Sequence, residues 1–287
     1  MTDETPARPR GPWDLPETTV PDAARRSAPT AARTPADEAP LDKGQHPVWA
    51  VVSTLLLGGF IWVMTGSWVI ALAALWGLLV HEYGHVLAMN RLGMGPARIY
   101  VIPFLGGLAR GQRLPASEWH GVLVSLAGPA FGMLATLPFF ILHFAFGGSA
   151  WMLGAAIIAA INLINLAPAP PLDGSKALGP VLARIHPWLE RAAMLAVGAV
   201  VVIWGLTGGS YLFAGFLVLS LFMHLSRGGW RPEGRTLTMA EAGQSVVLFA
   251  LTGALCAGVG LGALMLATGG SPAEALQIGG SYFRIGG

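Results

Sequence analysis

The sequence predicts an all-α polytopic membrane protein: a bundle of about six to seven transmembrane helices with a small membrane-associated β-hairpin. Three observations carry that expectation. Of the 287 residues, 54% are hydrophobic and only 11% are charged. Soluble domains carry charge on about 25% of residues, so this chain lacks the polar groups to cover a water-facing surface. The charge is also uneven, with 14 of the 32 charged residues before position 47. The remainder reads as apolar runs close to the roughly 17–25 residues that cross a bilayer. A net charge of +2 argues against nucleic acid as a partner. The single cysteine, Cys256, argues against a disulfide framework or a cysteine-rich zinc module.

Residues 1–46 are charged and proline-rich without an apolar run, and they are expected to form a disordered cytoplasmic tail. The first apolar run begins near Val48, too late for a signal peptide. Spans are expected at about 47–65, 67–90, 119–146, 149–167, 188–207, 209–225 and 244–268. Residues 47–225 form the expected core, and 226–287 a loop, an added helix and a short tail. Between the second and third spans, residues 97–104 favour a strand, Gly106-Gly107 a turn, and 108–113 a return strand. Such a hairpin, dipping beside a membrane-embedded site, can add an extended peptide at its edge.

Topology follows from the cations. Six lie in the tail and four after the second span (Arg91, Arg98, Arg110, Arg113). Three follow the fourth span (Lys176, Arg184, Arg191) and three the sixth (Arg227, Arg231, Arg235). The turns near Gly66, Gly147 and Gly208 have none, so 16 of 17 fall on one side. The positive-inside rule makes that side, and the N-terminus, cytoplasmic. Trp49, Trp68, Trp119, Trp151, Trp188 and Trp230 sit at span ends, as an interfacial belt requires.

Reactive chemistry begins at His81-Glu82-Tyr83-Gly84-His85 in the second span. Residues four apart on a helix share a face, so both imidazoles can hold one metal ion, with Glu82 beside it as a base for water. Two imidazoles and a carboxylate at hydrocarbon depth are costly unless paired or coordinating. His81 lies ten residues from Arg91, which marks the headgroups, so the metal is expected roughly 15 Å inside the membrane. Zinc needs a third protein ligand. The candidate is Asp173, at the end of Asn165-Leu166-Ala167-Pro168-Ala169-Pro170-Pro171-Leu172-Asp173-Gly174, where the prolines end the fourth span. On spacing alone, Asp173 serves equally well as a helix cap.

These motifs resemble those of the site-2 protease family of intramembrane zinc metalloproteases. H-E-Y-G-H and N-L-A-P-A-P-P-L-D-G carry the likeness, supported by I-P-F-L-G-G-L-A-R at 102–110 and S-L-A-G-P at 125–129. The resemblance covers approximately residues 47–180. It implies one zinc held by His81, His85 and Asp173, Glu82 as general base, and substrate positioned by Asn165 near the Gly106-Gly107 stretch. It departs at Ala130-Phe131-Gly132, where an Asn is common after Gly-Pro, and at Ser175, where a Gly is common.

The implied activity is hydrolysis of a peptide bond in or near the transmembrane segment of a membrane protein, in a bacterial inner membrane. A single-span substrate such as an anti-sigma factor fits that activity. Lys176 is a further candidate for assisting the reaction, though a lysine at a span end also snorkels to headgroups. Two other classes are a catalytically silent metal-binding scaffold and a metal transporter. An intact Glu82 argues against the first, and the scarcity of polar groups in the later spans against the second.

Overall fold

The structure is a computed structural model that describes residues 43–103, 106–207, 211–226, 234–271, 273–275 and 277. The expected tail lies, up to residue 42, outside the described residues, as do Phe104, Gly208, Arg227, Trp230 and Arg231.

Helix α1 (Pro47–Thr65) starts on a proline, whose missing amide costs nothing in the first turn, and stops at Gly66 with a left-handed φ of 67°. The Ser67 hydroxyl then accepts the Ile70 amide at 3.4 Å and opens α2 (Trp68–Arg91). Strands β1 (Arg98–Ile102) and β2 (Gly106–Arg110) pair antiparallel, with Ile102 opposite Gly106 and Val101 opposite Gly107. The two glycines therefore lie within the second strand rather than forming the turn. A Cβ on Gly107 would come 2.7 Å from Glu82 Cγ, so close approach to α2 sets the glycine here.

The run expected at 119–146 is broken. It forms α3 (Glu118–Gly132), a 3-10 turn (Met133–Thr136) and α4 (Leu137–Phe146). Pro138 in the first turn of α4 has no amide to continue the preceding ladder. Helix α5 (Ser149–Asn165) ends ahead of Pro168, Pro170 and Pro171, and α6 (Asp173–Ile185) follows. Helices α7 (Pro187–Thr207), α8 (Tyr211–Ser226) and α9 (Met239–Ala267) complete the order. Thr238 and Glu241 cap α9 reciprocally.

Among the described residues five helical segments are long and apolar enough to cross a membrane: α1, α2, α3 through α4, α7 and α9. The six or seven expected spans also counted α5 and α8, which have only 17 and 16 residues. Helix α5 is nonetheless central to the packing, with Met152, Ala155, Ile158 and Asn162 fully enclosed.

The core joins side chains of α2, α3, α4, α5, α6 and α9, including Ala242, Cys256 and Ala263 of α9. Packing thus continues past residue 225. Helix α1, by contrast, leans on α2 and β1 and leaves Val63 82% exposed, and Phe146 at the end of α4 is 78% exposed. Large apolar side chains exposed along whole helices suit lipid rather than water.

Candidate metal centre

Helices α2 and α5 bring the first polar groups together. Trp68 and Trp151, near their starts, meet edge to face at 5.8 Å. His81 and Asn162 each lie thirteen residues beyond the first residue of their helix. With equal rise from a shared end, they arrive at one height, about 20 Å along. The Asn162 amide donates to Ile158 O at 2.8 Å, which turns its Oδ1 towards His81 Nδ1, also 2.8 Å away.

His85, one turn below His81, bonds the Val124 carbonyl of α3 through Nδ1 at 2.8 Å. That contact needs the helices close. A Cβ at Gly84 would strike the Ala127 backbone, and one at Gly128 would strike both imidazoles. Glycine at these two positions gives the room.

Asp173 comes from the other side. The cis Pro170–Pro171 peptide precedes it, and it is the first residue of α6, with Leu172 in the capping position. Its carboxylate makes no cap. Instead Oδ2 lies 3.1 Å from His81 Nε2 and 3.3 Å from His85 Nε2, and the two Nε2 atoms are 3.1 Å apart. The Ser175 hydroxyl, where the resemblance departs, donates to Leu172 O at 2.7 Å and secures the same turn.

Each Nδ1 faces an acceptor and so carries a ring hydrogen. In the neutral imidazole that leaves each Nε2 as a lone pair, and two such lone pairs and a carboxylate oxygen then converge, buried. Such a trio repels itself unless a cation sits among it. Tetrahedral zinc with bonds of about 2.0–2.2 Å has ligand-to-ligand edges of about 3.3–3.6 Å. The three edges here, 3.1 to 3.3 Å, are close to one face of that tetrahedron. His81, His85 and Asp173 thus form a possible metal-binding group, and no further His, Cys, Asp or Glu joins them among the described residues.

The centre opens on a cavity of about 700 Å³ walled by Leu57, Phe60, Ile61, Ile161 and Ile164, with Glu82 and Gly106 to Ala109 at its side. Glu82 is buried, and the Ala109 backbone bonds its carboxylate. Asn165 lines the cavity while its amide donates to Ile161 O at 3.2 Å, and Lys176 lines it too. The imidazole is therefore oriented by Asn162, one turn before the Asn that the motif singles out. An amide inside an apolar span was the available signal.

Of the curated proteins, "Putative zinc metalloprotease sll0528" from Synechocystis sp. (strain ATCC 27184 / PCC 6803 / Kazusa) is 31% identical over 151 residues. The match covers 49% of this chain and 38% of that protein, so the chain spans well under half the length of this relative. No protein-family model and no solved structure matches the chain. The similarity supports a zinc metalloprotease relationship.

Proposed function

We propose that the chain is an intramembrane zinc endopeptidase of the site-2 protease kind, cleaving a single-span membrane protein in or near its transmembrane segment. One observation carries the reading. Three possible ligand atoms, two from the membrane-spanning α2 and one from the start of α6, meet beside a buried carboxylate that none of them uses.

Zinc bound by His81, His85 and Asp173 would acidify water and polarise a peptide carbonyl. Glu82 accepts the proton of the attacking water and returns it to the leaving amine. Asn162 and the Val124 carbonyl hold the imidazoles in the tautomer that leaves both Nε2 atoms free for coordination. The apolar walls exclude bulk water, while the cations at the cytoplasmic ends of the helices mark the side from which water enters.

A helical substrate hides its carbonyls in its own hydrogen bonds and must unwind to be cut. Both backbone groups of Val101 bond the Gln45 side chain, so they point away from β2. In an antiparallel ladder the facing residues alternate, and Gly107 and Ala109 therefore turn their own amides and carbonyls away from β1. That outer edge of β2 borders the cavity beside Glu82. An unwound segment adds there as a third strand against both Gly107 groups and the Ala109 carbonyl, the Ala109 amide being held by Glu82, and recovers hydrogen bonds lost on unwinding.

The test is detergent-purified protein assayed for one bound zinc and for cleavage of transmembrane peptides, beside Glu82→Gln. The variant is expected to keep its zinc and to lose about 10²–10⁴-fold in cleavage rate. Function untouched by Glu82→Gln would mean a scaffold, and altered metal flux without cleavage would mean a transporter.

A further inference from the structure

We infer that Gln45 is a positioning residue that closes the outer edge of β1 and so confines an added peptide strand to β2. The inference rests on the proteolytic reading for its consequence, but its geometry is independent of it. A two-stranded sheet has two open edges, and a peptide can add at either. Only the β2 edge borders Glu82. A peptide on β1 would have both strands between it and that edge, about 14 Å from a peptide on β2 and beyond reach of the centre.

Gln45 removes that choice. Its Oε1 accepts the Val101 amide at 2.9 Å and its Nε2 donates to the Val101 carbonyl at 3.1 Å. A primary amide has the donor and acceptor of a peptide group, so this one side chain acts as a single residue of a third strand. The same Nε2 donates to Ser53 Oγ at 3.2 Å, and Ser53, fully buried on α1, donates onward to Ala50 O at 3.0 Å. The hairpin is thereby fastened to α1 as well as sealed. Just before it, Gly44 has a φ of 82°, and a Cβ there would strike the Arg98 side chain, so the approach to β1 is also shaped for this contact. Glutamate keeps the acceptor for Val101 N–H but loses both donated bonds, whereas alanine loses all three.

The experiment compares full-length protein with Gln45→Ala and Gln45→Glu in detergent. Amide hydrogen exchange at Val101 and steady-state cleavage of a transmembrane peptide are measured together. Val101 exchange is expected to rise about tenfold in Gln45→Ala, with Gln45→Glu between the two, as one net hydrogen bond requires. kcat and KM are expected to fall together, as substrate held uncut on the β1 edge competes with productive binding on β2, with kcat/KM within about twofold and zinc content unchanged. Unchanged Val101 exchange in both variants overturns the clamp. Faster exchange with an unchanged KM overturns its role in positioning substrate. A failure of the proteolytic reading looks different: unaltered protein holding zinc cleaves nothing, and the exchange at Val101 still decides the clamp.

Discussion

Asn162 is the residue on which the orientation of the centre turns. It is wholly buried, and its amide is fixed at one end by Ile158 O and at the other by His81. Gly132 of α3 packs over it so closely that a Cβ would overlap the amide. Replacing Asn162 with Leu removes the acceptor that holds the His81 proton on Nδ1, and the ring is then free to carry it on Nε2, where it blocks coordination. Zinc affinity is expected to fall about 10–100-fold, measured by competition with a chromogenic chelator, whereas Asn162→Asp, which still accepts, should lose less. His81, Glu82 and His85 were legible in the sequence because four-residue spacing on a helix is a geometric statement. Asp173 was legible only as an alternative between ligand and cap, since a proline run fixes where a helix ends but not which way the next carboxylate faces. Asn162 was not singled out. It stands three residues from Asn165, and a single turn of an apolar helix gives no hint of which amide meets the imidazole.

At the scale of elements, two glycines lie one against the proposed metal ligands and one against the proposed base. Gly128 on α3 lies against the ligand imidazoles, and Gly107 on β2 lies against Glu82. Overfilling the first crowds the rings proposed to hold the metal; Gly128→Ala is expected to cost about 1–3 kcal/mol, read as weakened zinc retention on dialysis. Overfilling the second displaces the carboxylate while leaving the ligands alone. A shift of about 1 Å in a positioned group costs about 100-fold in rate, so Gly107→Ala should lower kcat by that order with zinc content unchanged. Equal zinc loss in both variants would refute this division. The same glycines mark the limit of sequence reading for the hairpin. A Gly-Gly pair is good turn chemistry, yet here the strand runs through it, because clearance for a neighbouring helix outweighs the local preference. The broken span has a similar cause: hydropathy is continuous over 119–146, but Pro138 interrupts the hydrogen-bond ladder that hydropathy does not register.

For the whole molecule, the metal-binding group joins parts of the chain that nothing local holds together: His81 and His85 belong to α2, and Asp173 to α6. The opposite end of α6 is tied elsewhere. Arg184 donates to Leu237 O at 2.6 Å, Glu118 of α3 accepts the Leu237 amide at 2.9 Å, and Ser245 of α9 donates to Ala177 O at 2.8 Å. Helix α6 is thus anchored to α3 and α9 along its body, while its first residue depends on the centre. Hydropathy made α9 legible as a span but not as part of the core, because the small residues that pack it, such as Ala263 and Cys256, look the same facing lipid or protein. A ligand that binds only the folded state stabilises it by about 2.7 kcal/mol at a hundred times its dissociation constant. Stripping metal with a chelator should therefore lower the thermal midpoint by several degrees, about 2–4 °C per kcal/mol for a chain of this size. Added zinc should restore it. In Asp173→Ala the α2–α6 link is gone, so its midpoint should already be low and respond little to chelator or zinc. A midpoint indifferent to metal in the unaltered protein would mean that the three ligand atoms do not bind an ion tightly enough to bridge the helices, and the zinc reading would fall with that result.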